Sequence, residues 1–226
     1  MNKLVVTLLM TIAGAATAGG AHAERAVRTE GQKAGSAAMQ TFGRTLPPIG
    51  HVSLCERLPG ECKPMKAGIA DAGPVSMTAE RQADLWAVND LVNRIVRPVT
   101  DMELYGKVEH WTYPAGAGDC EDYVLLKRRL LMERGWPAGA LLITVVRDEF
   151  NEGHAILTAR TSDGDYVLDN KKSEILAWNQ TAYTFVKRQS ESDPSQWVSL
   201  TTPSRWALIR SVSTQSTDSD TEQDDE

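Results

Sequence analysis

The stretch Tyr113-Pro-Ala-Gly-Ala-Gly-Asp-Cys-Glu-Asp-Tyr123 places a cysteine where a loop gives way to a helix. Residues 121–134 favour helix, with Tyr123, Leu126 and Leu130 recurring at spacings of three and four, and Gly135 and Pro137 stop it. Cys120 therefore falls at the helix N-terminus, where unpaired N–H groups and the macrodipole favour its thiolate. The carboxylates of Asp119, Glu121 and Asp122 act the other way, raising the thiol pKa unless a cation neutralises them. Hard oxygens crowded into four residues suit Ca2+. A calcium-supported thiolate is one reading of the stretch; an acidic helix cap beside a small buried cysteine is the other.

The flanks of the chain set the expected compartment. Lys3 supplies a positive start, residues 4–18 an apolar segment, and Ala21-His-Ala23 a small-residue cleavage pattern, so residues 1–23 read as a signal peptide. That run is short for a membrane span, and no later stretch is a candidate. A periplasmic or secreted protein is expected, without a lipid anchor, since no cysteine follows the cleavage pattern. Residues 24–45, rich in Ala, Gly, Gln and charge, read as a flexible segment, and residues 211–226 as a disordered tail. Between them, residues 46–210 are long enough for one domain. The net charge of −6 belongs mostly to that tail, which holds six acidic and no basic residues. A near-neutral body without a basic block argues against nucleic acid or anionic membrane as partner.

Three cysteines in an exported chain suggest one disulfide and one free thiol, pairing Cys55 with Cys62 inside the loop-rich residues 47–64 and leaving Cys120 free. The rival is a metal site built from His51 and the two cysteines, which lacks a fourth ligand nearby. Thr78 caps a helix whose Leu85, Val88, Val92, Ile95 and Val96 keep helical spacing until Pro98. Residues 101–111 show little pattern. Strands follow at residues 141–147, 154–160 and 166–169, with shorter candidates at 175–178, 183–186, 197–200 and 206–209. Helices followed by consecutive strands predict an α+β domain with an antiparallel sheet.

His154 begins one of these strands and Asp169 ends the next, which completes a Cys-His-Asp set in which imidazole takes the thiol proton and carboxylate fixes the imidazole tautomer. The backbone N–H of Cys120 is a natural oxyanion donor, with the Trp111 indole as a second candidate. Gly118-Asp-Cys-Glu-Asp-Tyr-Val124, Gly153-His-Ala155 and Tyr166-Val-Leu-Asp-Asn170 together resemble the bacterial transglutaminase-like cysteine proteinases. That family includes calcium-dependent periplasmic proteases of the LapG type, which cleave surface adhesins. The resemblance implies a papain-like α+β fold with the cysteine helix packed on an antiparallel sheet. It also implies Cys120 as nucleophile, His154 as general base and Asp169 as orienting acid. Asp119 and Glu121 match the family's calcium-binding positions, with Asp122 a third, and the partner implied is a protein substrate at the cell surface or in the periplasm. Peptide hydrolysis, amine transfer to glutamine side chains and calcium-dependent binding without catalysis are the three functions this pattern allows.

One geometric conflict remains. Asp163-Gly164 is a two-residue turn signal. A turn centred there sets Asp169 opposite Thr158, roughly 13 Å along the sheet from His154. A four-residue loop at 160–163 sets Asp169 opposite His154, so the triad calls for the longer loop or a compensating bulge.

Overall fold

The computed structural model describes residues 38–64 and 73–202. The elements in order are β1 (Arg44–Thr45), α1 (Ile49–Arg57), α2 (Ala79–Ile95), β2 (Arg97–Pro98), α3 (Asp101–Tyr105), β3 (Ala117–Gly118) and α4 (Cys120–Glu133). Strands β4 (Leu141–Arg147), β5 (Gly153–Thr161), β6 (Gly164–Leu168), β7 (Leu176–Ala177), β8 (Thr184–Gln189) and β9 (Trp197–Ser199) follow. Seven strands form one antiparallel sheet in the order β1-β9-β8-β4-β5-β6-β7, and β2 pairs in parallel with β3. This is the expected α+β class.

Alternation along the strands gives the sheet two buried faces. Leu141, Ile143, Ala155, Leu157, Ala159 and Leu168 pack with Val88 and Val92 of α2 and Tyr123, Val124 and Leu131 of α4. On the other face Val146, Ile156 and Val167 form a second cluster beneath Trp178, Tyr183 and Phe185. Helix α2 starts where its sequence says it should, with the Thr78 hydroxyl accepting the Arg81 N–H at 3.1 Å.

The structure departs from the sequence reading in four places. Residues 49–57, read as loop, form α1: Leu54 is buried at 1% exposure, and the Trp111 indole fills the space where a Cβ on Gly50 would project. Residues 101–105, read as patternless, form α3 through a capping box between Thr100 and Glu103. Part of the segment expected to be flexible is folded, because β1 pairs with β9 and the Met39 N–H donates to buried Asp165 at 2.9 Å. The β5–β6 hairpin has neither expected register. Ser162 and Asp163 make the turn, Gly164 follows it at φ 116°, and Thr161 pairs with Gly164. The ladder runs without a bulge to Leu157 opposite Leu168. Asp169 therefore stands one step past its end and diagonal to His154, a separation of roughly 7 Å that two long side chains span. The signal peptide, the acidic tail and the strand expected at 206–209 lie outside the described residues.

Candidate active site

Helix α4 opens on Cys120, with Asp119 as an extended N-cap whose side chain makes no capping bond. Gly118 admits the close approach of this turn, since a Cβ there would lie 2.5 Å from Asp122 Oδ2. Asp122 folds back instead, and its Oδ1 accepts the Thr112 N–H at 2.8 Å. The Cys120 thiol is half-buried; it donates to Glu121 Oε2 at 3.0 Å, and its sulfur accepts the Ala155 N–H at 3.4 Å. Burial, and then the Glu121 carboxylate, push this thiol well above its ordinary pKa.

Strand ends bring the other two groups. His154 and Asp169 share the sheet face of Ile156 and Val167, opposite the helices, and both occupy strand termini, where side chains can turn into the cleft beside Cys120. His154 Nε2 lies 2.8 Å from Asp169 Oδ1. The Lys171 N–H donates to the same oxygen at 2.9 Å, and the Tyr183 hydroxyl donates to Oδ2. Burial opposes ionisation of Asp169, yet these donors together outweigh it and hold the carboxyl below its ordinary value. An ionised carboxylate only accepts, so the proton of the shared bond sits on Nε2 and Nδ1 is the nitrogen left for other work. Cys120 and His154 line one cleft of about 280 Å³, together with Thr100, Gly153, Asn170 and Lys171. The β4–β5 hairpin is clamped beside it: Asp148 accepts the Phe150 and Glu152 N–H groups at 3.0 and 2.9 Å and pairs with Lys171 at 2.7 Å. The Lys171 ammonium draws the Asp148 carboxyl down to about 2.

A second cluster lies beside the thiol. Asp101, Asp119 and Glu121 each place a carboxylate oxygen within 4.8 Å of the others. Asp101 comes from the first turn of α3; its N–H donates to Asp119 Oδ2 at 3.2 Å, and its Oδ2 accepts the His110 N–H. Burial and the neighbouring Asp119 push Glu121 up to about 9, and burial with Asp101 raises Asp119. Asp101 Oδ1 and Asp119 Oδ1 are buried without a hydrogen-bond partner among the described residues. Asp122, expected as the third ligand, is not in this group; its Oδ1 is held by Thr112, and burial raises its carboxyl to about 7. Asp101 takes that place. The Thr100-x-x-Glu103 pattern marks a helix start there and was the available signal for it.

Two further expectations are settled by packing. The Trp111 indole donates to Glu109 at 2.9 Å, and its ring packs against His51 and Trp197, so it is a core residue with its N–H already engaged. Cys55 and Cys62 are joined in a disulfide with Cα atoms 5.6 Å apart, which leaves Cys120 as the free cysteine and removes the zinc alternative at His51.

A sequence model of the bacterial transglutaminase-like cysteine proteinases matches residues 41–205, most of the chain and the whole of this site. The chain belongs to that family. Among solved structures, calcium-bound LapG of Legionella pneumophila is similar at 22% identity and a TM-score of 0.47, over 64% of this chain and 85% of that one. Another LapG structure from the same organism gives 24% identity and a TM-score of 0.46, over 57% of this chain and 74% of that one. EGTA-treated LapG gives 25% and 0.43, over 53% and 67%. No curated protein sequence matches. As a transglutaminase-like cysteine proteinase, the protein acts on protein substrates, and among the described residues no helix is long and apolar enough to cross a membrane.

Proposed function

We propose that this protein is an exported cysteine endopeptidase in which Cys120, His154 and Asp169 form the catalytic triad. The observation that carries this reading is the cleft shared by Cys120 at a helix N-terminus and His154, whose far nitrogen is bound to ionised Asp169. His154 Nδ1 takes the thiol proton as Sγ attacks the scissile carbonyl carbon. The C–N bond then breaks, the amine leaves with that proton, and a thioester remains on Cys120. Water, deprotonated by the same imidazole, hydrolyses the thioester to a carboxylate and frees the thiol. The Cys120 N–H, at a helix start, points to the oxyanion.

Ca2+ fits the Asp101, Asp119 and Glu121 cluster. The donors are hard oxygens, two of them are orphaned and buried, and burial followed by the neighbouring carboxylates raises the pKa values of Asp119 and Glu121. When bound, the ion would supply positive charge that offsets these carboxylates beside the thiol. LapG, solved both calcium-bound and EGTA-treated, is a relative in which that ion has been seen. Residues 1–23 serve as the export signal, which places the substrate in the periplasm or at the cell surface.

The test is to incubate exported proteins with wild-type protein or Cys120→Ala, with calcium, and map new peptide termini by mass spectrometry. Termini that appear with wild type alone support the endopeptidase. A wild-type digest without such termini, or one that shows only adducts of an added amine on glutamine side chains, overturns it.

A further inference from the structure

Beyond Leu168 the sheet no longer holds β6 to β5. The last pair of that ladder joins Leu157 to Leu168, so the start of β5 pairs with β4 alone, and His154 stands opposite Val146. His154 and Asp169 therefore both lie past the end of the ladder that joins their strands, and something else must hold their loops together.

Asp148 sits where the ladder is missing. It follows Val146, the ladder partner of His154, by two residues, and a period of two sets it on the same face. Its side chain is 1% exposed. Oδ1 serves the β4–β5 turn, accepting the Phe150 and Glu152 N–H groups, while Asn151 takes φ 63°. An asparagine would serve such a turn at a smaller desolvation cost. What the turn leaves over is Oδ2, which pairs with Lys171 Nζ at 2.7 Å. The Lys171 N–H donates to Asp169 Oδ1 at 2.9 Å, and the same oxygen meets His154 Nε2 at 2.8 Å. From His154 the chain runs back through Gly153 to Glu152, whose N–H is bound to Asp148, and the ring of bonds closes. Glu149 and Lys172 span the same gap at 3.1 Å, but both are well exposed, where an ion pair adds little. We propose that Asp148 is a positioning residue of the reaction: its pairing with Lys171 stands in for the absent ladder and keeps the Asp169 carboxylate set against the His154 imidazole. This rests on the triad reading above and adds to it a residue outside the cleft wall, which Gly153, Asn170 and Lys171 help to form.

The experiment reads the rate at which iodoacetamide alkylates Cys120, the free cysteine, in the full chain with calcium and the disulfide intact. Asp148→Asn keeps an acceptor for the turn and removes the charge that holds Lys171. The rate should fall about tenfold, short of the roughly hundredfold loss that a 1 Å misplacement can cause. Lys171→Met should slow it to the same degree, and Lys171→Arg should recover most of the loss. The two losses should not add, so Asp148→Asn combined with Lys171→Met is no slower than either alone. In a His154→Ala background both substitutions should change nothing, because the clasp acts through the imidazole. A general loosening of the fold, or a direct effect of the Lys171 charge on the thiolate, would persist in that background and overturns the proposal. Additive losses overturn it too, as does a wild-type or faster rate in Asp148→Asn, where the ammonium is released from its partner. If Asp148→Asn does not fold, Lys171→Met decides by the same comparison, since the Lys171 side chain is 41% exposed. His154→Ala separates the two readings: a wild-type rate in that variant removes the triad itself, whereas a slow His154→Ala beside a fast Asp148→Asn removes only the role of Asp148.

Discussion

Acidification tests the buried imidazole of His51, which is packed between Trp111 and Trp197 at 1% exposure. Its Nδ1 accepts the Trp197 indole N–H at 3.3 Å, and its Nε2 faces the Gln189 amide nitrogen at 3.1 Å. That amide cannot usefully turn over, because its oxygen accepts the Ile143 N–H and its nitrogen donates to the Pro194 carbonyl. The neutral ring already turns its one N–H toward a donor, and an imidazolium would turn both, toward Trp197 and Gln189. Burial, and then the charge of Arg128, accordingly lower the pKa from 6.5 to about 4. The unfolded chain gains a proton as pH falls through 6.5, and the folded chain does not until about pH 4. His51 therefore contributes stability that is fully present above pH 6.5 and lost as pH falls toward 4. The gap corresponds to about 3 kcal/mol, of which about 2.5 kcal/mol is gone by pH 4.5. Urea unfolding followed by tryptophan fluorescence at pH 7.5 and 4.5, in wild type and His51→Gln, isolates this contribution from the carboxylates common to both proteins. The stability difference between the two should shrink by about 2.5 kcal/mol at the lower pH. A difference that stays constant would falsify the donor-against-donor account.

Asp101→Asn should weaken calcium-dependent stabilisation by at least about tenfold in apparent affinity while leaving the EGTA-treated protein as stable as wild type or more so, because one repelling charge is gone. Thermal unfolding across a calcium titration measures both effects, and an unchanged midpoint would remove Asp101 from the site. Tyr183→Phe takes one donor from Asp169 Oδ2 and should slow Cys120 alkylation roughly tenfold, the scale of one hydrogen bond to a charged group; a wild-type rate would show that this hydroxyl does not support the triad. Gly118→Ala sets a Cβ 2.5 Å from Asp122 Oδ2 and 2.7 Å from its Cβ. Urea denaturation should register a loss of about 1–3 kcal/mol, and a neutral result would mean the Asp122 fold-back yields easily.

The parts of this fold that could be read in advance are those whose evidence is local. The run from Tyr123 to Leu130 has helical period, Ile143 to Val146 are all β-branched, and three cysteines, two of them close together at 55 and 62, leave Cys120 free. The parts that escaped depend on partners far away in sequence. Helix α1 begins at two prolines and a glycine, and its burial comes from Trp111, 54 residues beyond Arg57, whose guanidinium donates to the Trp111 carbonyl. The third carboxylate of the cluster stands 18 residues before Asp119, on a helix of five residues, too short to show a period. The hairpin register was missed because Gly164 takes its positive φ after the turn, where the Asp-Gly signal had placed it inside. Tyr183 carried no sequence signal, since nothing near residue 183 indicates that its hydroxyl meets Asp169.

The two ends of the large sheet carry a consequence for how polypeptides approach this proteinase. Its outermost strands, β1 and β7, are two residues each, and β9 and β6 lie behind them. So little exposed ladder gives an incoming extended chain almost nothing to zip onto, which guards a protein that handles other polypeptides against growing its own sheet at their expense. The short parallel pair β2–β3 is different: it runs straight into Asp119 and Cys120, and Pro98 and Val99 form part of the wall of the cleft. The end of this pair therefore brings backbone into the cleft beside the sulfur atom.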